Sequence, residues 1–183
     1  MKKIIILDPG HGGEDPGAIT DLTKEKEMAL NIALQTREIL RKNKNYEVYM
    51  TRETDEYISL PERCNFANKY AAHVFISIHL NAHDSPAAKG IEVFSFPGSI
   101  RGAQIRNAVY LETMRLFPVW TGRGAKEARF YVLRKSDMPA CLIECGFITN
   151  EAEEKEINKV ETRLKFAEGI ANGIDAYFAG VGK

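Results

Sequence analysis

Short apolar runs alternate along the chain with longer stretches whose apolar residues recur every three or four positions. The runs lie near residues 3–7, 46–51, 73–79, 91–96, 130–134 and 140–145, and their β-branched and aromatic content predicts strands. Helical spacing predicts helices near 24–42, 59–72, 100–116 and 150–178, the last bent around Asn158. In the first helix Met28, Leu30, Ile32, Ala33, Leu34, Ile39 and Leu40 form a broad apolar stripe, with Lys, Arg and Glu elsewhere. Ser59 is a predicted N-cap, with Pro61 in the first turn and Glu62 at the capping-box offset. Alternating strands and helices predict an α/β fold: a single layered domain with a mostly parallel twisted sheet of about six strands, flanked by helices. Residues 80–90 and 117–129 read as long irregular loops that shape a groove at the active edge of the sheet.

The 183 residues suffice for one domain with a substantial core and are too few for two. Lys plus Arg and Asp plus Glu balance at 25 each, so no charge excess points to nucleic acid or an anionic membrane. No stretch approaches the roughly 20 apolar residues of a membrane span. The run Ile4–Leu7 is shorter than the roughly 7–15 residues of an export signal's apolar region, so it reads as a strand. Cys64, Cys141 and Cys145 are too few and scattered for a disulfide framework. Cys141 and Cys145 share a strand face at about 13 Å, beyond disulfide reach. They read as small buried hydrophobes in preference to a zinc clip.

Three chemically capable residues fall at strand ends. His11 lies in Asp8-Pro9-Gly10-His11-Gly12-Gly13, just past the first strand; His79 ends Val74–Ile78; Glu144 ends Ala140–Ile143. The carboxyl ends of strands are where open α/β sheets place ligands and catalytic groups. Two histidines and a carboxylate form a common catalytic zinc set that leaves a position for water. Glu14, Asp15, Asp21, Glu25 and Glu27 are all near enough in sequence to supply the carboxylate, and position alone does not choose among them. Other readings compete. Gly10–Gly13 could cradle a phosphate, although the Lys-Ser/Thr ending of a P-loop is missing. Glu144 could be a structural acid paired with Arg52 or Arg134, because a buried acid must be paired, bind metal or do chemistry. His79 and His83 have the spacing of a helical metal pair but follow a strand, and His73 reads as structural or surface.

Taken in order, the segments resemble the zinc-dependent N-acetylmuramoyl-L-alanine amidases of the amidase-3 group, the catalytic domains of peptidoglycan hydrolases. The resemblance runs from Ile4 to about Phe178. It rests on Leu7–Gly13, Asp15-Pro16-Gly17-Ala18, Glu25-Lys26-Glu27, Thr51-Arg52-Glu53-Thr54-Asp55 and Leu60-Pro61-Glu62-Arg63. Further on come Phe75–Ala82, Gly90-Ile91-Glu92-Val93-Phe94, Val132-Leu133-Arg134 and Met138–Asn150. The resemblance implies His11, Glu25 and His79 as ligands of one zinc ion and Glu144 as the catalytic acid. Leu80 stands where alanine is common and Ala29 where asparagine is frequent, neither at a ligand position.

The implied reaction is hydrolysis of the amide between the muramoyl lactyl group and L-alanine of the peptide stem. Zinc would activate water and polarise the carbonyl while Glu144 moves the proton. Asp8 or Asn81 is expected to fix a histidine tautomer. Arg52 and Asp55 are expected to fix the end of the second strand, and Arg134 to pair with a carboxylate, either in the protein or on the peptide stem. The expected catalytic domain is residues 1–179, with 180–183 the start of a linker or tail. The expected partner is peptidoglycan, with no nucleic acid and no membrane insertion. A monomer is expected, in nature joined to a wall-binding domain, acting at the bacterial cell wall as a secreted autolysin or a phage-released endolysin. No inserted helix is evident to plug the site, so an open groove is expected. The competing classes are a wall-binding module on the same fold, which should lack Glu144 or a ligand, and a zinc peptidase cutting within the stem.

Overall fold

A computed structural model describes residues 2–180. The strands are β1 (Lys3–Pro9), β2 (Tyr46–Met50), β3 (Val74–Asn81), β4 (Ile91–Ser95), β5 (Gly122–Glu127) and β6 (Ala140–Phe147). The helices are α1 (Glu25–Leu40), α2 (Leu60–Lys69), α3 (Ile100–Leu116), α4 (Tyr131–Lys135), α5 (Glu151–Ile157) and α6 (Val160–Gly180). The strands form one sheet in the order β2-β1-β3-β6-β4-β5. All neighbours run parallel except β4 and β6.

Strand alternation divides the core. Ile5, Leu7, Ile76, Ile78 and Ile143 join α1, α3 and α6 in the larger cluster, while Ile6, Phe75 and Leu142 pack with α2 and α4. A strand sends successive side chains to opposite faces, so Asp8, Ser77, His79 and Glu144 share the α2 side with the smaller cluster. The chain leaves β1 towards β2 on one flank and returns to β3 on the other. The carboxyl ends of β1 and β3 therefore flank the point where strand order reverses, the crevice open α/β sheets use for ligands.

Two elements differ from the sequence reading. Of residues 130–134, predicted as a strand, 131–134 belong instead to the short helix α4, and Phe130 before it is extended (ψ 143). Their aromatic and β-branched content suggests a strand, but Val132 and Leu133 are buried in the smaller cluster from one turn of helix. Conversely β5 lies in the stretch 117–129 read as irregular. Its sequence Gly-Arg-Gly-Ala-Lys-Glu carries no apolar run, and pairing with β4 imposes the strand. The expected bend at Asn158 is a break: Asn158 caps α5, and α6 starts at Val160. The anticipated tail at 180–183 falls mostly outside the described residues, Gly180 being the last residue of α6. Among the described residues no helix is long and apolar enough to cross a membrane.

Candidate metal and catalytic site

After Pro9 the chain turns sharply. The Gly10 N–H donates to the Ile78 carbonyl (2.9 Å), and Gly12 and Asp15 exchange backbone hydrogen bonds (2.8 and 3.1 Å). His11 lies in the left-handed region at φ 59. Two buried arginines brace this turn. Arg52 donates to the carbonyls of Pro9 (3.1 Å) and Gly10 (2.7 Å), and Arg63 to those of Pro9 (2.7 Å) and His11 (2.7 Å). Asp8 accepts from Arg63 (2.8 Å), Thr51 (2.6 Å) and Ser77 (2.8 Å), so its burial is compensated. Asp55 accepts from the Gly13 N–H (2.8 Å) and from Lys26 (2.7 Å), tying the segment after β2 to the histidine turn.

Glu25 opens α1 with a buried carboxylate facing both histidines. Its Oε1 lies 3.1 Å from His11 Nε2 and 2.9 Å from His79 Nδ1, and accepts from the Leu80 N–H (3.1 Å). Its Oε2 accepts from the Ala18 N–H (2.9 Å). Asp15 Oδ2 sits 2.8 Å from His11 Nδ1. A proton on Nδ1 satisfies Asp15 and leaves the Nε2 lone pair aimed at the site. Gly10 is required by close approach, because a Cβ there would run into the His79 ring. One donor atom from each of His11, Glu25 and His79 lies within 4.8 Å of the others.

Charge follows the geometry. Burial would raise the Glu25 pKa, but hydrogen bonds and charge from His11 and His79 pull it far below the usual carboxylate range. Burial would lower the His11 pKa, but the hydrogen bonds and charges of Glu25 and then Asp15 raise it. Glu144 sits directly opposite His79 in the β3–β6 ladder, with its side chain on the same face. Its Oε2 is inaccessible and has no hydrogen-bond partner among the described residues. Burial, then the charges of Glu25 and Glu92, push its pKa well above the ordinary value. These groups line a cleft of about 400 Å³, bounded also by Tyr57, Leu60, Phe130 and Tyr131. His11 and His79 keep 25% and 20% of their side-chain surface exposed.

The turn, the helix start and the two strand ends thus bring His11, Glu25, His79 and Glu144 around one cleft. Glu14, Asp21 and Glu27 are exposed and outside this group. His83 is exposed too, its Nδ1 accepting from the Ser85 N–H. His73 is structural, its Nδ1 accepting from the Ile4 N–H at 3.1 Å. Asp8 and Asn81, expected to orient a histidine, bond elsewhere: Asp8 to Arg63, Thr51 and Ser77, and Asn81 to Glu92. Asp15 holds His11 in their place. Arg52 braces the first turn in addition to the strand end, where it reaches the Thr54 carbonyl (3.0 Å). Arg134 lies over the Tyr131 ring at 5.8 Å and pairs with neither Glu144 nor any other carboxylate among the described residues. The three cysteines are buried and unpaired. Sequence reasoning offered Asp15 only as a candidate metal carboxylate and gave Arg63 no role at the site. Asp15 sits four residues from His11 in a recognisable Asp-Pro-Gly turn, whereas nothing in the spacing of Arg63 signals its reach back to Asp8 and His11.

Two imidazoles and a carboxylate beside a buried acid make a group that could hold a metal ion at the strand ends of an α/β sheet. The chain belongs to the Amidase_3 family, N-acetylmuramoyl-L-alanine amidase, which matches residues 5–176. It is 36% identical over 176 residues to the sporulation-specific N-acetylmuramoyl-L-alanine amidase of Bacillus subtilis, covering 95% of this chain and 68% of that protein. It superposes on the N-acetylmuramoyl-L-alanine amidase of Clostridium difficile 630 with a TM-score of 0.94 at 37% identity, covering 97% of each chain. The catalytic domain of CwlV, the amidase of Bacillus (Paenibacillus) polymyxa, gives a TM-score of 0.92 at 33% identity, covering 97% of this chain and 98% of that one.

Proposed function

We propose that this chain is a zinc-dependent N-acetylmuramoyl-L-alanine amidase, hydrolysing the amide between the muramoyl lactyl group and L-alanine of the peptidoglycan stem. The observation that carries this reading is the convergence of His11, Glu25 and His79 donors within 4.8 Å, beside Glu144 Oε2, which has no hydrogen-bond partner among the described residues. Two neutral nitrogens and one carboxylate oxygen suit a single zinc ion and leave a position open on the cleft. Zinc held there supplies Lewis acidity to the carbonyl and eases ionisation of water.

The remaining work falls to the chain. Asp15 holds His11 in the tautomer that presents Nε2, and Arg52 and Arg63 hold the turn that carries it. Glu144 faces the same space from the adjacent strand. Its raised proton affinity makes its ionised form a strong base towards the attacking water, and lets it hold that proton for the departing amine of L-alanine. Tyr57, Leu60 and Phe130 at the cleft give the sugar and lactyl group apolar surface to rest on.

The substrate places the reaction at the bacterial cell wall. Residues 1–179 form the catalytic unit, a monomer that works alone or joined to a wall-binding domain. The test measures bound zinc and analyses peptidoglycan digests by mass spectrometry. About one zinc per chain, with new L-alanine amino termini and intact muramic acid, is the expected result. Glu144→Gln should keep its zinc and lose about 10²–10⁴-fold in rate. Cleavage within the stem would make the chain a peptidase, and wall binding without products a recognition module.

A further inference from the structure

Beyond Glu144 the row of polar side chains continues. The β4–β6 ladder pairs Glu92 with Glu144, so His79, Glu144 and Glu92 stand side by side across three strands on the cleft face. Glu92 is buried, 4% exposed, and carries two cations. Arg123 Nε donates to its Oε2 at 3.1 Å and Lys126 Nζ to the same oxygen at 2.5 Å, while Asn81 Nδ2 donates to Oε1 at 2.6 Å. Two cations thus converge on one Glu92 oxygen, and Arg123 also feels the buried Glu153 carboxylate.

The two cations are held but not consumed. Arg123 stacks over the Phe147 ring (4.9 Å) and Lys126 lies near that of Phe94 (6.0 Å). Their side chains remain 35% and 40% exposed. Only Nε of the five guanidinium donors, and one of the three ammonium donors, is taken up by Glu92. The cluster borders the cleft at two points: Asn81 lines it directly, and Phe130, at its rim, packs edge-on against Phe94 (5.3 Å). Glu92 stands one strand spacing, about 4.8 Å, from Glu144, and both cationic heads lie within 3.1 Å of Glu92 Oε2, so they sit roughly 5–8 Å from the Glu144 carboxyl. That is about the span from a scissile amide to a group on the second residue of a departing peptide.

We propose that Arg123 and Lys126, anchored by Glu92, form a subsite for a carboxylate on the peptide that leaves, close to the residue following L-alanine. This deepens the amidase reading and rests on it. The subsite makes the enzyme favour stems that carry a free carboxylate over stems in which it is amidated. Guanidinium and ammonium donors recognise a carboxylate through charge-assisted hydrogen bonds that a neutral carboxamide matches poorly.

The test compares kcat/KM for two synthetic substrates, N-acetylmuramoyl-L-alanyl-glutamate and the same molecule with both glutamate carboxyls converted to carboxamides. The zinc-loaded chain should prefer the acid by about 10-fold or more, the discrimination one charged hydrogen bond supplies. In the Arg123→Met/Lys126→Met variant that ratio should fall to near one, chiefly through a rise in KM for the acid. Removing both cations strands a buried Glu92, so the triple variant with Glu92→Gln is measured alongside, with the same expected ratio. Equal rates on both substrates with the unaltered chain would overturn the subsite and leave the amidase reading standing. So would a preference that survives in the folded variants. Failure to cut either substrate at the lactyl amide would overturn the amidase reading and the subsite with it.

Discussion

At His11 the backbone holds a left-handed conformation, φ 59, that costs a residue with a Cβ roughly 1–2 kcal/mol. The structure around it explains why the strain persists. Four arginine hydrogen bonds to the carbonyls of Pro9, Gly10 and His11 leave the turn no competing arrangement. Asp15 then sets the ring, its Oδ2 2.8 Å from Nδ1. Metal-site histidines held by a carboxylate typically lose about 10–100-fold in metal affinity when that partner is removed. Asp15→Ala should therefore weaken zinc binding by about 10–100-fold, measured by competition with a chromophoric chelator, while the circular dichroism spectrum stays native. Unchanged affinity would remove Asp15 from the metal site and leave it as a turn residue.

Among the elements, the fit between α3 and α6 carries the clearest prediction. A Cβ at Gly173 would lie 2.5 Å from the Val109 Cα, a backbone atom that cannot rotate away. Gly173→Ala should gain up to about 1 kcal/mol of helix propensity and lose more by forcing the helices apart, a net loss of about 1–2 kcal/mol. Urea unfolding reads the balance, and a stabilised variant would mean that the helices adjust freely. The elements also show where sequence patterning carries information and where it stops. β1, β3 and β6 are buried on both faces, so their apolar runs are continuous and the groups at their ends, His11, His79 and Glu144, stand out. Edge strand β5 is built of Gly-Arg-Gly-Ala-Lys-Glu and owes its shape to β4 and to the ion pairs with Glu92, which local sequence does not announce. Residues 131–135 have strand-like composition and fold as a helix because one helical turn buries Val132 and Leu133. For the same reason Glu25 could not be chosen from five nearby acids by spacing. Its selection depends on how the loop from Gly12 to Lys24 folds back, which brings the start of α1 beside two strand ends.

For the whole molecule, assembling these groups has a consequence in the absence of metal. His11 has a pKa above its ordinary 6.5 in the folded chain, so its contribution to stability is complete below about pH 6.5 and is lost as pH rises through the folded value. Glu144 acts in the same direction. Its carboxyl keeps its proton when folded but ionises in the unfolded chain above about pH 4.5, so stability declines from there upwards until the folded value is passed. Glu25, depressed by the histidines, opposes only acidification: its contribution is present above about pH 4.5 and lost below. Through these groups the metal-free chain should become less stable as pH rises from about 5 to 8. Zinc bound as proposed would reverse the balance, because histidine ligands must be deprotonated and the affinity therefore rises with pH. At 100 times its dissociation constant it would add about 2.7 kcal/mol. The gap in Tm between chelator-treated and zinc-loaded protein should therefore widen steadily across this range, as thermal melts at several pH values would record. A metal-free Tm that climbs towards pH 8, or a gap that stays constant, would mean that the convergence of His11, Glu25 and Glu144 does not govern the stability of this fold. A widening gap would identify the price of a preorganised site: the metal-free fold holds in place a carboxylate, two imidazoles and an acid that the metal-loaded enzyme needs together.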